Sequence, residues 1–118
     1  MREILFRGKR VDNGEWVEGY YAAEPYTKNT YNHGYILENE KDLFAKKAWL
    51  VDSRTVGQFT GLTDKNGKKI FENGYMIIDN KTYKVIFDNA EYILTNIFNC
   101  DIITLKNNSI KGVFVDEI

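Results

Sequence analysis

The stretch DKNGKKIFENGYMI, residues 64–77, places Asn-Gly at 66–67 and again at 73–74, and a third Asn-Gly step stands at 13–14. Asn and Gly tolerate the positive φ angles that tight hairpin turns demand, so a chain punctuated this way folds back on itself at short intervals. What lies between the steps fits. Ile, Val, Thr, Tyr, Phe and Trp make up 44 of 118 residues, against 5 Ala and 7 Leu. Branched and aromatic side chains suit a pleated, half-buried surface better than a helix. The chain therefore reads as mainly β: a small curled sheet or SH3-like, partly open barrel with an N-terminal β-hairpin and at most one short helix.

The register of that hairpin follows from a two-residue type I′ turn at Asn13-Gly14. Asp12 then pairs with Glu15, Val11 with Trp16, Lys9 with Glu18 and Arg7 with Tyr20. Ile4, Phe6 and Gly8 face Ala23, Tyr21 and Gly19 on the more apolar side, leaving Arg7, Lys9, Trp16 and Glu18 more exposed. Residues 24–34 are rich in turn formers and read as a loop, and Tyr35–Leu37 as a short strand. Asn39–Leu50 is the helix candidate, with Asn39 as cap and Glu40 and Asp42 in its first turn. Its periodicity is weak, and Ala48–Val51 reads equally as a strand. From Val56 on, seven strands are expected near 57–62, 69–71, 75–79, 82–87, 91–95, 101–106 and 110–115. Asn66-Gly67 is expected to make a true hairpin turn with Leu62 opposite Phe71. Asn73-Gly74 is expected to kink the chain into the next strand.

At this length, residues 1–118 suit one compact domain, with 1–60 and 61–118 as possible sub-lobes. The single Cys100 cannot form an internal bridge and fits a reducing cytoplasm. The N-terminus has a three-residue apolar run before Arg7, too short for a signal peptide or a membrane span, so the chain reads as soluble. The net charge is −1, and splitting the chain after Gly67 gives ten basic and ten acidic residues, then six and seven. That balance disfavours a broad phosphate-backbone binder.

Chemistry-bearing residues are sparse. His33 and Cys100 are the only His and Cys, with no partner at metal-ligand spacing, and they read as a loop histidine and a small thiol. Ser53 and Ser109 lack a nucleophile setting, and Gly57–Gly61 lacks the spacing of a phosphate loop. Asp64, Glu72, Asp79, Asp88 and Glu91 are the acids from which a catalytic pair would be drawn, although acids on a β protein are usually just solvated. No catalytic, cofactor or metal residue is assigned. Arg7, Lys9, Trp16 and Tyr20 share one hairpin face and form a candidate binding surface for a base or an acidic peptide, with Glu18 opposing that reading. The plainer reading is an exposed face held by cross-strand pairs.

Two blocks of sequence, Phe6–Arg10 with Asp12–Val17 and Gly19, then Val51-Asp52 with Thr55–Leu62, Asp64–Lys68 and Ile70–Glu72, resemble the YopX-like family of phage and prophage proteins. The resemblance implies a small, mostly β protein of the bacterial host's cytoplasm with no established activity. Where the family continues Glu-Gly-Asp-Ile-Val, this chain has Glu72-Asn73-Gly74-Tyr75-Met76. The expectation is a non-enzymatic binding or assembly protein, forming a homo-oligomer or binding a host or phage protein, since 17 aromatic residues exceed what a small core readily hides. The competing expectations are a nucleic-acid-binding barrel and, behind it, a carboxylate-dependent enzyme.

Overall fold

A computed structural model describes residues 5–23, 33–37 and 48–118. Its strands are β1 (Phe6–Arg10), β2 (Trp16–Ala23), β3 (His33–Leu37), β4 (Ala48–Thr63), β5 (Lys69–Phe71), β6 (Tyr75–Ile78), β7 (Lys81–Asp88), β8 (Glu91–Asn96), β9 (Ile102–Thr104) and β10 (Val113–Val115), with a 3₁₀ turn at Ser109–Lys111. All pairings among the described residues are antiparallel. The protein is thus mainly β, in two sheets ordered β1-β2-β3-β4-β5 and β10-β6-β7-β8-β9. The chain divides into two compact units, one spanning Glu3–Gln58 and the other Phe59–Ile118.

In the first unit β4 pairs with both β3 and β1, so four strands close into a ring without forming a barrel. Closure at so small a number of strands leaves little room inside, and glycine supplies what there is. A Cβ at Gly8 would lie 3.0 Å from Val51, and one at Gly34 would lie 2.5 Å from the Tyr21 ring. Ile36 and Val51 are fully buried, and Phe6 meets Tyr21 at 6.0 Å. The ring is completed across an irregularity, because between the pairs Arg7–Gly57 and Lys9–Asp52 β4 holds three residues more than β1. Thr55 closes that gap: its hydroxyl donates to the Asp52 carbonyl (2.6 Å) and accepts the Lys9 N–H (2.8 Å). A ladder hydrogen bond lost at the bulge is thereby replaced by a side chain.

The N-terminal hairpin departs from its expected register. Arg10 N–H donates to the Glu15 carbonyl at 2.8 Å and Gly14 N–H to the Arg10 carbonyl at 3.0 Å, enclosing the four-residue loop Val11–Gly14. Lys9 consequently pairs with Trp16 and Arg7 with Glu18. Only Gly14 has positive φ (72°), whereas a type I′ turn needs it at both central residues. The Asn13 side chain instead accepts the Glu15 N–H at 2.9 Å. The slip is two residues, so every side chain keeps its expected face. The β8–β9 connection repeats this geometry. Asn96 N–H donates to Asp101, Cys100 N–H to Asn96, and the Asn99 side chain accepts the Asp101 N–H. Cys100 takes the glycine's place there at φ 62°.

Two-residue turns do occur, at Asp79-Asn80 and Asn89-Ala90, where both residues have positive φ and the flanking pairs are Ile78–Lys81 and Asp88–Glu91. The helix candidate is overturned at its end: Ala48–Leu50 belong to β4, where cross-strand pairing with β3 overrides a weak helical pattern, and residues 39–47 lie outside those described. Residues 24–32 of the expected loop also lie outside, while His33 and Gly34 are strand. The seven strands expected after Val56 are all present, the last shortened by the 3₁₀ turn.

In the second unit the inner sheet face carries Met76, Ile78, Tyr83, Val85, Leu94 and Phe114, all buried, with Ile70, Phe71 and Leu105 completing the core. Tyr75, Ile77, Lys84, Ile86, Thr95 and Ile102 occupy the alternate positions.

A left-handed conformation costs an L-residue about 1–2 kcal/mol, and glycine returns part of that through unfolded-chain entropy. Ala90→Gly and Cys100→Gly are each expected to stabilise the protein by about 0.5 kcal/mol. Urea unfolding checks this, and an unchanged or lower midpoint contradicts the turn geometry.

Candidate functional site

The hairpin residues Arg7, Lys9, Trp16 and Tyr20 do share a face. Arg7 lies opposite Glu18, Lys9 opposite Trp16, and Tyr20 beyond them opposite Leu37 of β3. Arg7, however, is only 5% exposed, against the expectation of an open face. The reason is ring closure: β4 pairs along the far side of β1, so Arg7 sits between two strands instead of at an edge. Its guanidinium carbon lies 4.0 Å from the centroid of the Trp16 ring. The cation and the best stacking ring of the proposed surface are thus applied to each other.

At the tip of the same hairpin an open groove of about 210 Å³ is lined by Arg10, Val11, Asp12, Ala48, Trp49 and Leu50. Arg10 forms a two-pronged pair with Asp12 at 3.0 and 2.7 Å. The hydrogen bond to Asp12 raises the Arg10 pKa, and the reciprocal bond lowers that of Asp12. Sequence reading left Trp49 open between helix and strand and so did not place the groove. Its signal was the strand alternative at Ala48–Val51.

The acids separate by role. Asp79 lies at one end of β7, and Asp88 and Glu91 lie at the other; Glu72 is half-buried in the turn after β5. Among the described residues no three or more His, Cys, Asp or Glu gather where they could hold a metal ion. His33 pairs with Asp52 in the β3–β4 ladder, and Cys100 is exposed in the β8–β9 loop.

Asp64 differs from the others in being buried, at 3% exposure. Its Oδ1 accepts the N–H groups of Asn66 (2.8 Å) and Lys68 (2.9 Å), and its Oδ2 accepts the N–H of Phe114 (2.8 Å), fifty residues away. Burial pushes its pKa up, but the three N–H donors and nearby Lys68 outweigh that and hold it below the ordinary value. The same side chain corrects the Asn66-Gly67 turn. Asp64 N–H and the Lys68 carbonyl close a three-residue loop at 2.8 Å, with Gly67 at φ 81°. Thr63 pairs with Lys69, and Phe71 faces Phe59 rather than Leu62, their rings 5.5 Å apart.

These are features of a mainly β protein whose distinctive polar residues serve its backbone. The chain belongs to the YopX protein family, whose model matches residues 5–115. No curated protein and no solved structure matches the chain. The blocks that carry the resemblance now have physical roles. Asp52 accepts the Arg54 N–H (3.0 Å), Thr55 bridges the bulge, the buried Thr60 hydroxyl donates to Ile70, and Asp64 anchors β10. The departure at Asn73-Gly74 is also explained. Asn73 stands at φ 71°, a conformation that Asn tolerates; the chain turns there into β6, with Gly74 N–H directed at Phe71.

The surface that sequence reading did not single out is the outer face of the second sheet. Val113 and Val115 of β10, Tyr75 and Ile77 of β6, Ile86 of β7, Ile93 of β8 and Ile102 of β9 share it with Thr82, Thr95, Thr104 and Lys84. Ile77 is 39% and Ile102 63% exposed, while Ile93 is buried. Alternation along β6 and β7 was the available signal, but assigning the face required knowing which strands pair.

Replacing Asp64 by Asn turns one acceptor into a donor facing the Phe114 N–H, and is expected to cost about 2–3 kcal/mol at pH 7. Because the folded-state pKa is lowered, the carboxylate's contribution is complete above about pH 3.9 and is lost as pH falls through the folded value. Chemical unfolding of wild type and Asp64→Asn should therefore converge in acid. Equal midpoints at pH 7 contradict the assignment.

Proposed function

We propose that this chain is a non-enzymatic binding or assembly protein of phage or prophage origin, acting through protein–protein contacts in a bacterial cytoplasm. The observation that supports it is the outer face of the second sheet, where aliphatic side chains from all five strands share the surface with Tyr75, three threonines and a single Lys. An antiparallel sheet with a solvated face ordinarily alternates apolar and polar residues. Strand spacing and rise give this face a footprint of roughly 400 Å², on which Ile77 and Ile102 are exposed apolar residues. Charged residues gather around it, at Asp79 and Lys81, at Asp88 and Glu91, and at Asp101, which is the arrangement of an interface core and rim. The nucleic-acid reading has less support, since Arg7 is buried against Trp16. No helix among the described residues is long and apolar enough to cross a membrane.

The test is a photo-crosslinking amino acid at Ile102 in bacteria expressing the protein, with the same group at Lys65, exposed in the β4–β5 loop, as control. A protein adduct of discrete mass from position 102 and none from 65 is expected. Equal labelling at both positions, or adducts with nucleic acid alone, overturns the reading.

A further inference from the structure

The three Asn-Gly steps are chemically alike and structurally different, and the difference singles out one of them. In any such step the side-chain amide carbon comes within reach of the following backbone nitrogen, and glycine has no Cβ to obstruct the approach. The Gly nitrogen attacks the Asn Cγ, the C–N bond of the side-chain amide breaks, and ammonia leaves with the displaced proton. Water then opens the resulting succinimide at one of its two carbonyls. Opening at one restores the ordinary chain with Asp in place of Asn; opening at the other routes the backbone through Cβ and leaves an isoaspartate. Neither an oxidant nor an enzyme is required.

What restrains the reaction is whatever holds the two groups apart. All three glycine N–H groups donate to a carbonyl, Gly14 to Arg10 (3.0 Å), Gly67 to Asp64 (3.0 Å) and Gly74 to Phe71 (3.3 Å), so that bond does not separate them. The side chains and the flanking backbone do. At 13–14 the Asn13 Oδ1 is engaged by the Glu15 N–H at 2.9 Å. At 73–74 the step is built into the second sheet: Asn73 N–H donates to the Val85 carbonyl and the Gly74 carbonyl accepts the Val85 N–H, both at 2.9 Å, and Gly74 is buried. At 66–67 both residues are exposed, and the Asn66 side chain makes no hydrogen bond among the described residues.

Conversion at 66 has a structural consequence. The N–H groups of Asn66 and Lys68 are the two donors to Asp64 Oδ1, and Gly67 stands between them. An isoaspartate at 66 inserts an extra backbone carbon between those donors and sets a new carboxylate beside the loop that Asp64 opens. The spacing of the donors is lengthened, and a like charge is brought toward the buried acid that holds the Phe114 N–H. We propose that Asn66-Gly67 is a site of spontaneous deamidation, and that its conversion to isoaspartate loosens the Asp64 clamp on β10.

Ageing the folded protein in mildly alkaline buffer tests both halves. Cleavage after glutamate, done in mild acid to stop the reaction, places the three steps in separate peptides, 4–15, 41–72 and 73–91, and Asn66 is the only asparagine of the second. The mass gain of an amide-to-acid exchange should appear first in 41–72. A hydrogen bond of ordinary net strength is worth a factor of about five, so 4–15 should follow about fivefold more slowly, with 73–91 slower still. In urea, where the fold no longer distinguishes them, the three steps should react at comparable rates. Isoaspartate, detected by enzymatic methylation, should be recovered in 41–72 of the aged protein, and the Phe114 amide should exchange with solvent about fivefold or more faster than before ageing. Asn66→Gln keeps the backbone N–H but closes a ring far less readily, and should show neither change. Reaction no faster at 66 than at 13 or 73 in the folded protein overturns the site, as does the same rank order in urea. Modified chains whose Phe114 amide exchanges as before overturn the coupling to the clamp.

Discussion

Much of the second unit depends on one buried carboxylate. Asp64 follows directly on β4, and its two oxygens accept three backbone N–H groups, two from the loop it opens and one from Phe114 in β10. Burying an ionised group is expensive unless hydrogen bonds replace its water, and here donors on both oxygens do so. The result is a clamp between segments fifty residues apart in sequence. It fixes the edge strand β10 beside β6, and Lys65 N–H adds a second tie to the Gly112 carbonyl at 3.1 Å. With β10 held there, Phe114 points inward at 1% exposure and Val113 and Val115 are turned to the other face. The clamp thereby helps to make the apolar outer surface from which the functional reading follows.

The same economy runs through the first unit. Thr55 supplies at the bulge the hydrogen bond that the ladder loses, and glycines at positions 8 and 34 let four strands approach closely enough to close. Of these places, Gly8 and Thr55 lie in the blocks that carry the family resemblance. A signature built of turn residues, bulge residues and a buried anchor specifies a framework.

Local features were legible where local chemistry decides them. β5 through β8 stand within a residue or so of where branched residues and turn formers indicate. The faces of the first hairpin survive a two-residue slip, because side-chain direction alternates with period two. Turn types were less accessible, since Ala90 and Cys100 adopt positive φ that their residue types do not advertise, whereas Asn13 does not adopt it. The burial of Arg7 and the anchoring by Asp64 depend on pairing between distant segments, β1 with β4 and β10 with β6, and composition cannot supply that. For the same reason the outer face was invisible: its strands become one surface only once β6 and β8 are known to flank β7.

The most direct measure of this account is the titration of the Asp64 carboxyl carbon followed by NMR. Although burial pushes the other way, a carboxylate holding three backbone donors should lose its charge only below the ordinary aspartate value of about 3.9. The expected result is that lowered midpoint, with the Phe114 amide resonance shifting in the same pH range. A midpoint at or above the ordinary value, with the Phe114 amide unmoved, would contradict it.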